Sequence, residues 1–145
     1  MNNQYVVFEL EKQNYAIDIN HVREITEITE ITKVPNSNEY VKGILKLRDS
    51  IISIIDLKKR MSIENKNKEK NKILVVDIEN IQMGLLIDIA KDVKTFSVDQ
   101  IDDSSILSFK NENYINGIIR SENDIIMILN VKKIIGENET VTQSA

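Results

Sequence analysis

The sequence contains no cysteine, a single histidine and only four glycines, and each shortage removes a class of chemistry. Without cysteine there is no disulfide, no thiolate nucleophile and no thiolate metal site, which fits a reducing compartment such as the cytoplasm. His21 has no partner set for a zinc site or a nucleophilic dyad and reads as a surface or hinge residue. The scattered glycines cannot assemble a phosphate-cradling loop. No apolar run approaches the roughly 18 residues of a membrane span, and the opening MNNQYVVFEL has neither a positive leader nor a small-residue cleavage site, so export is not expected. Aromatic residues make up 5% of the chain and the net charge is -4, which disfavours general affinity for nucleic acid or anionic lipid. Adjacent Asp102 and Asp103 read as neighbours in a polar loop, with no fixed acid/base separation expected between them. The expectation is a noncatalytic binder with no metal and no cofactor.

What the chain does have is a repeat. Tyr40 to Lys59 returns 74 positions later as Tyr114 to Lys133, with 8 of 20 positions identical, among them Gly43/Gly117, Ile54/Ile128 and Lys58/Lys132. A weaker match lays Val6 to Ile25 over Leu74 to Val93 at an offset of 68. Two copies are too few for a solenoid, so two similar modules packed together are expected. The 145 residues suffice for one shared core, although each half alone is marginal.

Ile (26 residues) and Val (11 residues) dominate the apolar set, which suits pleated strands. Alternation predicts a hairpin over Tyr5–Leu10 and Tyr15–Ile19, with a counterpart at Ile73–Ile78 and Met83–Asp88. His21–Ile25 and Ile89–Val93 read as helical turns or irregular connections. Each repeat then gives a glycine-bearing strand, a polar turn and an isoleucine-rich strand. Asp56 and Asn130 stand where N-caps belong, and Gly136 where a helix stops. Small antiparallel barrels are expected, since closure removes exposed edges. The expected boundaries are a first barrel at 14–62, a polar linker at 63–72, a second barrel at 73–130 and a disordered tail at 137–145. The linker, SIENKNKEKNK, mixes charges with no aromatic and reads as solvated chain. Gly43 and Gly117 lie inside apolar strands, where glycine marks a bend or a close backbone approach. Where the copies disagree, a function not shared by both halves can reside. The sharpest disagreement replaces Arg48 by Glu122.

The chain resembles the CheW family of bacterial chemotaxis adaptors over residues 4 to 136. The resemblance is carried by Tyr5-Val6-Val7-Phe8, Tyr15-Ala16-Ile17-Asp18-Ile19, Val22-Arg23-Glu24-Ile25, Val34-Pro35-Asn36 and Tyr40-Val41-Lys42-Gly43. It continues through Leu47-Arg48, Ile54-Ile55-Asp56-Leu57, Gly84-Leu85-Leu86-Ile87-Asp88 and Tyr114-Ile115-Asn116-Gly117. It implies two five-stranded SH3-like barrels in a mostly β protein with short helical segments. It further implies a cytoplasmic, noncatalytic coupler, recruited to membrane-associated arrays, that links chemoreceptor tips to the regulatory domain of the histidine kinase CheA. By position, Val22, Glu24, Gly43, Arg48 and Gly117 match family residues associated with receptor coupling; the kinase surface is not assigned. The family's usual Asn-Leu-Arg-Gly turn is here Lys46-Leu47-Arg48-Asp49, where Asp49 is expected to accept the left-handed backbone. The alternatives are a CheW-like module of another receptor pathway and, in a different class, a small-barrel nucleic-acid binder.

Overall fold

A computed structural model describes residues 2–67, 72–103 and 114–136. The strands are β1 (Asn2–Leu10), β2 (Gln13–Asp18), β3 (Val22–Glu27), β4 (Val41–Leu47), β5 (Ser50–Asp56), β6 (Lys72–Ile78), β7 (Ile81–Ile87), β8 (Ile89–Ser97), β9 (Ile101–Asp103), β10 (Ile115–Ser121) and β11 (Asp124–Leu129), with helices α1 (Leu57–Arg60) and α2 (Val131–Ile135). Single 3-10 turns at Ile19–His21 and Val98–Gln100 lead into β3 and β9. The repeat recurs in local chemistry. Asp56 and Asn130 each cap a helix by accepting a hydrogen bond from the backbone N–H of Lys59 and Lys133 respectively. The backbone N–H groups of the two caps donate to Tyr40 O at 2.7 Å and Tyr114 O at 2.8 Å. Gly136 ends α2 with φ of 79°, a conformation that favours glycine.

The strands form two sheets, in the orders β3-β6-β7-β5-β4 and β8-β1-β2-β11-β10-β9. The chain is therefore mostly β, with two SH3-like subdomains, the second enlarged to six strands by the short β9. The expected boundaries 14–62 and 73–130 do not survive, because the hairpins cross over. β1–β2 belongs to the sheet of the C-terminal strands, pairing antiparallel with β8 and parallel with β11. β6–β7 belongs to the sheet of the N-terminal strands, antiparallel to β3 and parallel to β5.

Burial explains this interleaving. The hairpin strands are apolar on both faces, so each must be covered twice. Val7 and Tyr5 point into a core inside the six-stranded sheet with Phe96, Ile119 and Ile126. Ile73 and Val75 do the same inside the five-stranded sheet with Leu45, Ile52 and Ile54. The alternate residues Val6, Phe8, Leu74 and Val76 meet in a third, central cluster between the sheets, which also takes Leu57 of α1 and Val131, Ile134 and Ile135 of α2.

Two local expectations are corrected. His21–Ile25 and Ile89–Val93 are not turns but lie largely in β3 and β8. Their apolar residues fall three apart, as in Val22 and Ile25, which imitates a helix. The true cause is a bulge in each pairing, between Val22 and Glu24 and between Val6 and Phe8, together with exposed edge positions such as Ile25 and Val93. The linker is also less free than expected. Ile63 packs against the central core, and Lys66 and Asn67 donate backbone N–H groups to Glu11 Oε2 at 3.0 and 2.8 Å. The expected tail, 137–145, lies outside the described residues.

Candidate partner-binding site

Four of the five residues singled out by sequence meet on one sheet. Val22 and Glu24 lie on β3, Gly43 on β4 and Arg48 in the β4–β5 turn, and β3 and β4 are the two edges of the five-stranded sheet. Two devices tie β3 and the chain that follows it to the β4–β5 hairpin. Thr32 and Ile44 form an antiparallel bridge, with both N–H···O bonds at 2.8 Å. Arg48 grips the Glu24 carboxylate with two nitrogens, Nη1 donating to Oε2 and Nη2 to Oε1, the latter at 3.0 Å. This fork-on-fork geometry fixes the guanidinium plane. The hydrogen bond from Arg48 holds the Glu24 carboxyl below its usual range. The Arg48 side chain remains 71% exposed, so an oriented cation stands on the surface. The same sheet exposes apolar groups, Ile25 on β3 and Ile51 just after the turn, the latter 69% exposed; Ile25 follows Glu24 in an extended strand and faces the other side of the sheet from it. Val22 is half-buried and packs on the central core.

The turn geometry corrects one expectation. The left-handed residue is Arg48, with φ of 55°, not Asp49. Its counterpart Glu122 has φ of 46°. Strain found in both copies belongs to the hairpin fold, whereas the charge placed on it differs between them.

Gly43 is set by close approach. A Cβ there would stand 2.3 Å from Thr32 O and 2.8 Å from Ile31 Cγ2, at φ of 153°. Gly43→Ala is expected to lower stability by about 2 kcal/mol and to release the 28–32 segment from β4. Urea denaturation with amide exchange at Ile44 checks this, and an unshifted midpoint would remove the steric explanation.

Gly117 stands apart from the other four. It is the counterpart of Gly43 on β10, where a Cβ would lie 2.9 Å from Asp102 O. It lines a cleft of about 620 Å³ between the two sheets, with Tyr5, His21, Asp77, Asp103 and Lys132 also on its walls. Asp102 accepts from Arg120 Nε at 2.8 Å, so it is a paired carboxylate and not one of a free acid/base couple. Among the described residues no group of three or more His, Cys, Asp or Glu side chains could hold a metal ion.

Two residues not anticipated as special complete the picture. Lys58 is buried, its side chain 7% exposed, and donates to Glu11 Oε2 at 2.6 Å, Asn65 Oδ1 at 3.0 Å and Asn67 O at 3.0 Å. Its three protons thus taken, it also lies 2.9 Å from Asp88 Oδ1. The other Asp88 oxygen accepts the Glu11 N–H at 2.8 Å. The counterpart pair, Lys132 and Glu79, is 3.3 Å apart and exposed. Arg60 bridges the copies. Its Nε donates to Ile134 O at 2.7 Å and its Nη2 to Lys133 O at 3.1 Å, while the guanidinium lies 4.5 Å from the Tyr40 ring centre and 5.3 Å from that of Tyr114. The sequence did carry a signal for it, since position 60 falls on Ile134 in the second copy.

Such a body, two SH3-like sheets with an oriented surface arginine and an open inter-sheet cleft, belongs to the class of docking scaffolds. The CheW-like domain family matches residues 4–139, and the chain belongs to that family. It is 28% identical over 142 residues to the chemotaxis protein CheW of Treponema pallidum, covering 94% of this chain and 84% of that protein. It is likewise 28% identical over 130 residues to CheW of Thermotoga maritima, covering 90% and 85%. The crystal structure of the scaffolding protein TtCheW from Thermoanaerobacter tengcongensis superposes with a TM-score of 0.87 at 31% identity, covering 96% of each chain. The chain is thus a chemotaxis scaffold of the CheW type. Among the described residues no helix is long and apolar enough to cross a membrane.

Proposed function

We propose that this protein is a noncatalytic, cytoplasmic adaptor that couples the cytoplasmic tips of chemoreceptors to the regulatory domain of the histidine kinase CheA, within membrane-associated arrays. The observation that carries the reading is the Glu24–Arg48 fork across the edges β3 and β4. It holds a cation in one orientation on a sheet that also exposes Ile25 and Ile51, the kinds of group that the apolar contacts and few polar fixings of an amphipathic helix use. Val22, Glu24, Gly43 and Arg48 form the receptor face in this reading, and Gly117 contributes from the cleft. Gly43 acts indirectly, by seating the 28–32 segment.

Arg48→Glu, which copies the second repeat, is expected to abolish most receptor-tip capture while leaving the urea midpoint nearly unshifted, because the pair is exposed. The double exchange Glu24→Arg with Arg48→Glu rebuilds the ion pair with its charges reversed. It is expected to recover the small stability loss but not the capture, since the partner meets a carboxylate where it needs a guanidinium. Pull-down with a receptor tip and with the kinase regulatory domain reads both arms. Full capture by the single variant would remove Arg48 from the receptor face.

A further inference from the structure

We infer that the natural partner of each half of this chain is any copy of the other half, so that a second copy of the protein can exchange halves with the first and form a closed, swapped dimer. By the repeat, copy one runs from β1 to α1 and copy two from β6 to α2. Their hairpins are matched even in strain, with Glu11 and Lys12 at φ of 49° and 69° and Glu79 and Asn80 at 51° and 70°. Neither hairpin pairs with its own copy. β3 pairs with β6 from Val22↔Val76 to Glu27↔Lys72, and β5 with β7 from Ser53↔Met83 to Asp56↔Leu86. Reciprocally, β8 pairs with β1 and β11 with β2, through Met127↔Tyr15 and Ile128↔Ala16.

Deprived of the other, copy one would keep the β1–β2 and β4–β5 hairpins, the single Thr32–Ile44 bridge and the Glu24–Arg48 ion pair, with β3 lacking any strand partner. Two-stranded hairpins are marginal in water. The central core fails too, since Phe8 and Leu10 of copy one need Leu74, Val76 and Ile134 of copy two. Arg60 adds a third tie, donating from α1 to carbonyls of α2. All recognition between the halves is noncovalent, and the covalent link is confined to the chain between α1 and β6.

Every pairing of the monomer is reproduced when copy one of each chain completes copy two of its neighbour. What differs is the path of the linker and the cost of bringing two chains together, which makes exchange concentration-dependent. The linker is anchored to copy one through Lys58, Glu11, Asn65 and Asn67, so it stays with one half while the other half is traded. If the adaptor reading holds, the dimer carries two docking bodies on one particle and binds an array with avidity.

The test uses the full chain with a protease site in place of residues 68–71, prepared with one affinity tag at the N-terminus or another at the C-terminus. The two forms are refolded together from denaturant at high protein concentration, and the dimer is isolated before the linker is cut. From dimers purified through both tags in succession, cleavage is expected to release bodies of monomer mass of which half carry both tags and half carry neither, since one body combines the tagged N-terminal half of one chain with the tagged C-terminal half of the other and its twin combines the two untagged halves. The dimer yield should rise steeply with concentration during refolding. Bodies that carry a single tag each would mean an ordinary surface dimer and overturn the inference, as would a product that stays wholly monomeric up to millimolar refolding concentrations. Cutting the monomer is a second, independent arm: the halves are expected to co-elute as one body, and halves that part on dilution would equally overturn it.

Discussion

Lys58→Met is expected to lower the unfolding free energy at pH 7 by about 4 kcal/mol, because it removes one partner of a buried ion cluster and leaves the others without a counter-ion. Methionine matches the length of the lysine stem, so the packing against α1 and the linker is largely kept and the loss reports charge and hydrogen bonding. The second repeat supplies the control. Lys132 occupies the equivalent position but is exposed, its side chain at 63%, and Lys132→Met should cost less than about 0.5 kcal/mol. Urea denaturation of both variants at pH 7 reads the contrast, and equal small losses would mean that burial of Lys58 does not matter.

The pH dependence sharpens the expectation. The hydrogen bond from Lys58, helped by the N–H of Asn67, holds the Glu11 carboxyl below its usual value of 4.5. Its contribution is therefore present above that value and is lost as pH falls through the depressed folded pKa. Burial pulls the Lys58 ammonium down, but its hydrogen bond to Glu11 and the nearby Asp88 carboxylate outweigh this, and the pKa ends above 10.5. That contribution is complete below 10.5 and disappears only as pH rises through the raised folded value. The cluster thus adds a flat contribution through neutrality. In Lys58→Met the Glu11 carboxyl loses the Lys58 hydrogen bond, the largest cause of its lowered pKa, so part of the stability that the parent loses on acidification is already absent from the variant. The gap between variant and parent should therefore narrow as pH falls through 4.5 and below. A gap unchanged by acidification would exclude the Lys58–Glu11 hydrogen bond as a source of the loss.

Much of this architecture was legible because repetition exposes what the fold requires. Alternation located the hairpins, the repeat located the glycine-bearing strands, and Asp56 and Asn130 announced α1 and α2 before any coordinates. The crossing of the hairpins was not legible. Both copies carry the same apolar pattern, so β6–β7 fits the sheet of either copy equally well on local grounds, and only the reach of the linker and the central core decide. β3 and β8 were hidden for a different reason: at a bulged edge the period of two is broken, and exposed Ile25 and Val93 look like one face of a helix. The linker was misjudged because composition describes side chains, whereas its anchoring is made largely by backbone N–H groups donated to Glu11. The site was half legible. Divergence between copies marked Arg48, but it could not show that Glu24 is the group that aims it. The same comparison, carried one residue past the repeat, sets Arg60 against Ile134, and that signal was missed; its meaning is structural.

Arg60→Ala should lower stability by about 3 kcal/mol, the second-largest loss among these variants. Two terms add. The last carbonyls of α2 have no intrahelical donor, and Arg60 satisfies those of Lys133 and Ile134; hydrogen bonds from a charged group are each worth about 1.5–3 kcal/mol, of which exposure removes part. The rings of Tyr40 and Tyr114, the first residues of the two repeated segments, add about 0.5–1 kcal/mol each as cation–π contacts. Arg60→Lys keeps the charge but not the planar fork, so it should recover less than half of the loss. Because Arg60 joins the copies, its effect should couple to Tyr114 in the second copy. A double-mutant cycle with Tyr114→Leu is expected to give an interaction energy of at least about 0.5 kcal/mol. Strict additivity would mean that the guanidinium and that ring share no energy, leaving Tyr40 and the α2 carbonyls as its partners. Loosening this joint frees α1 relative to α2, and with them the two sheets that wall the cleft beside Gly117. Receptor-tip capture by Arg60→Ala should therefore weaken as well, although Arg60 is not on the proposed docking face, and titration calorimetry below the variant's melting temperature separates that loss from unfolding.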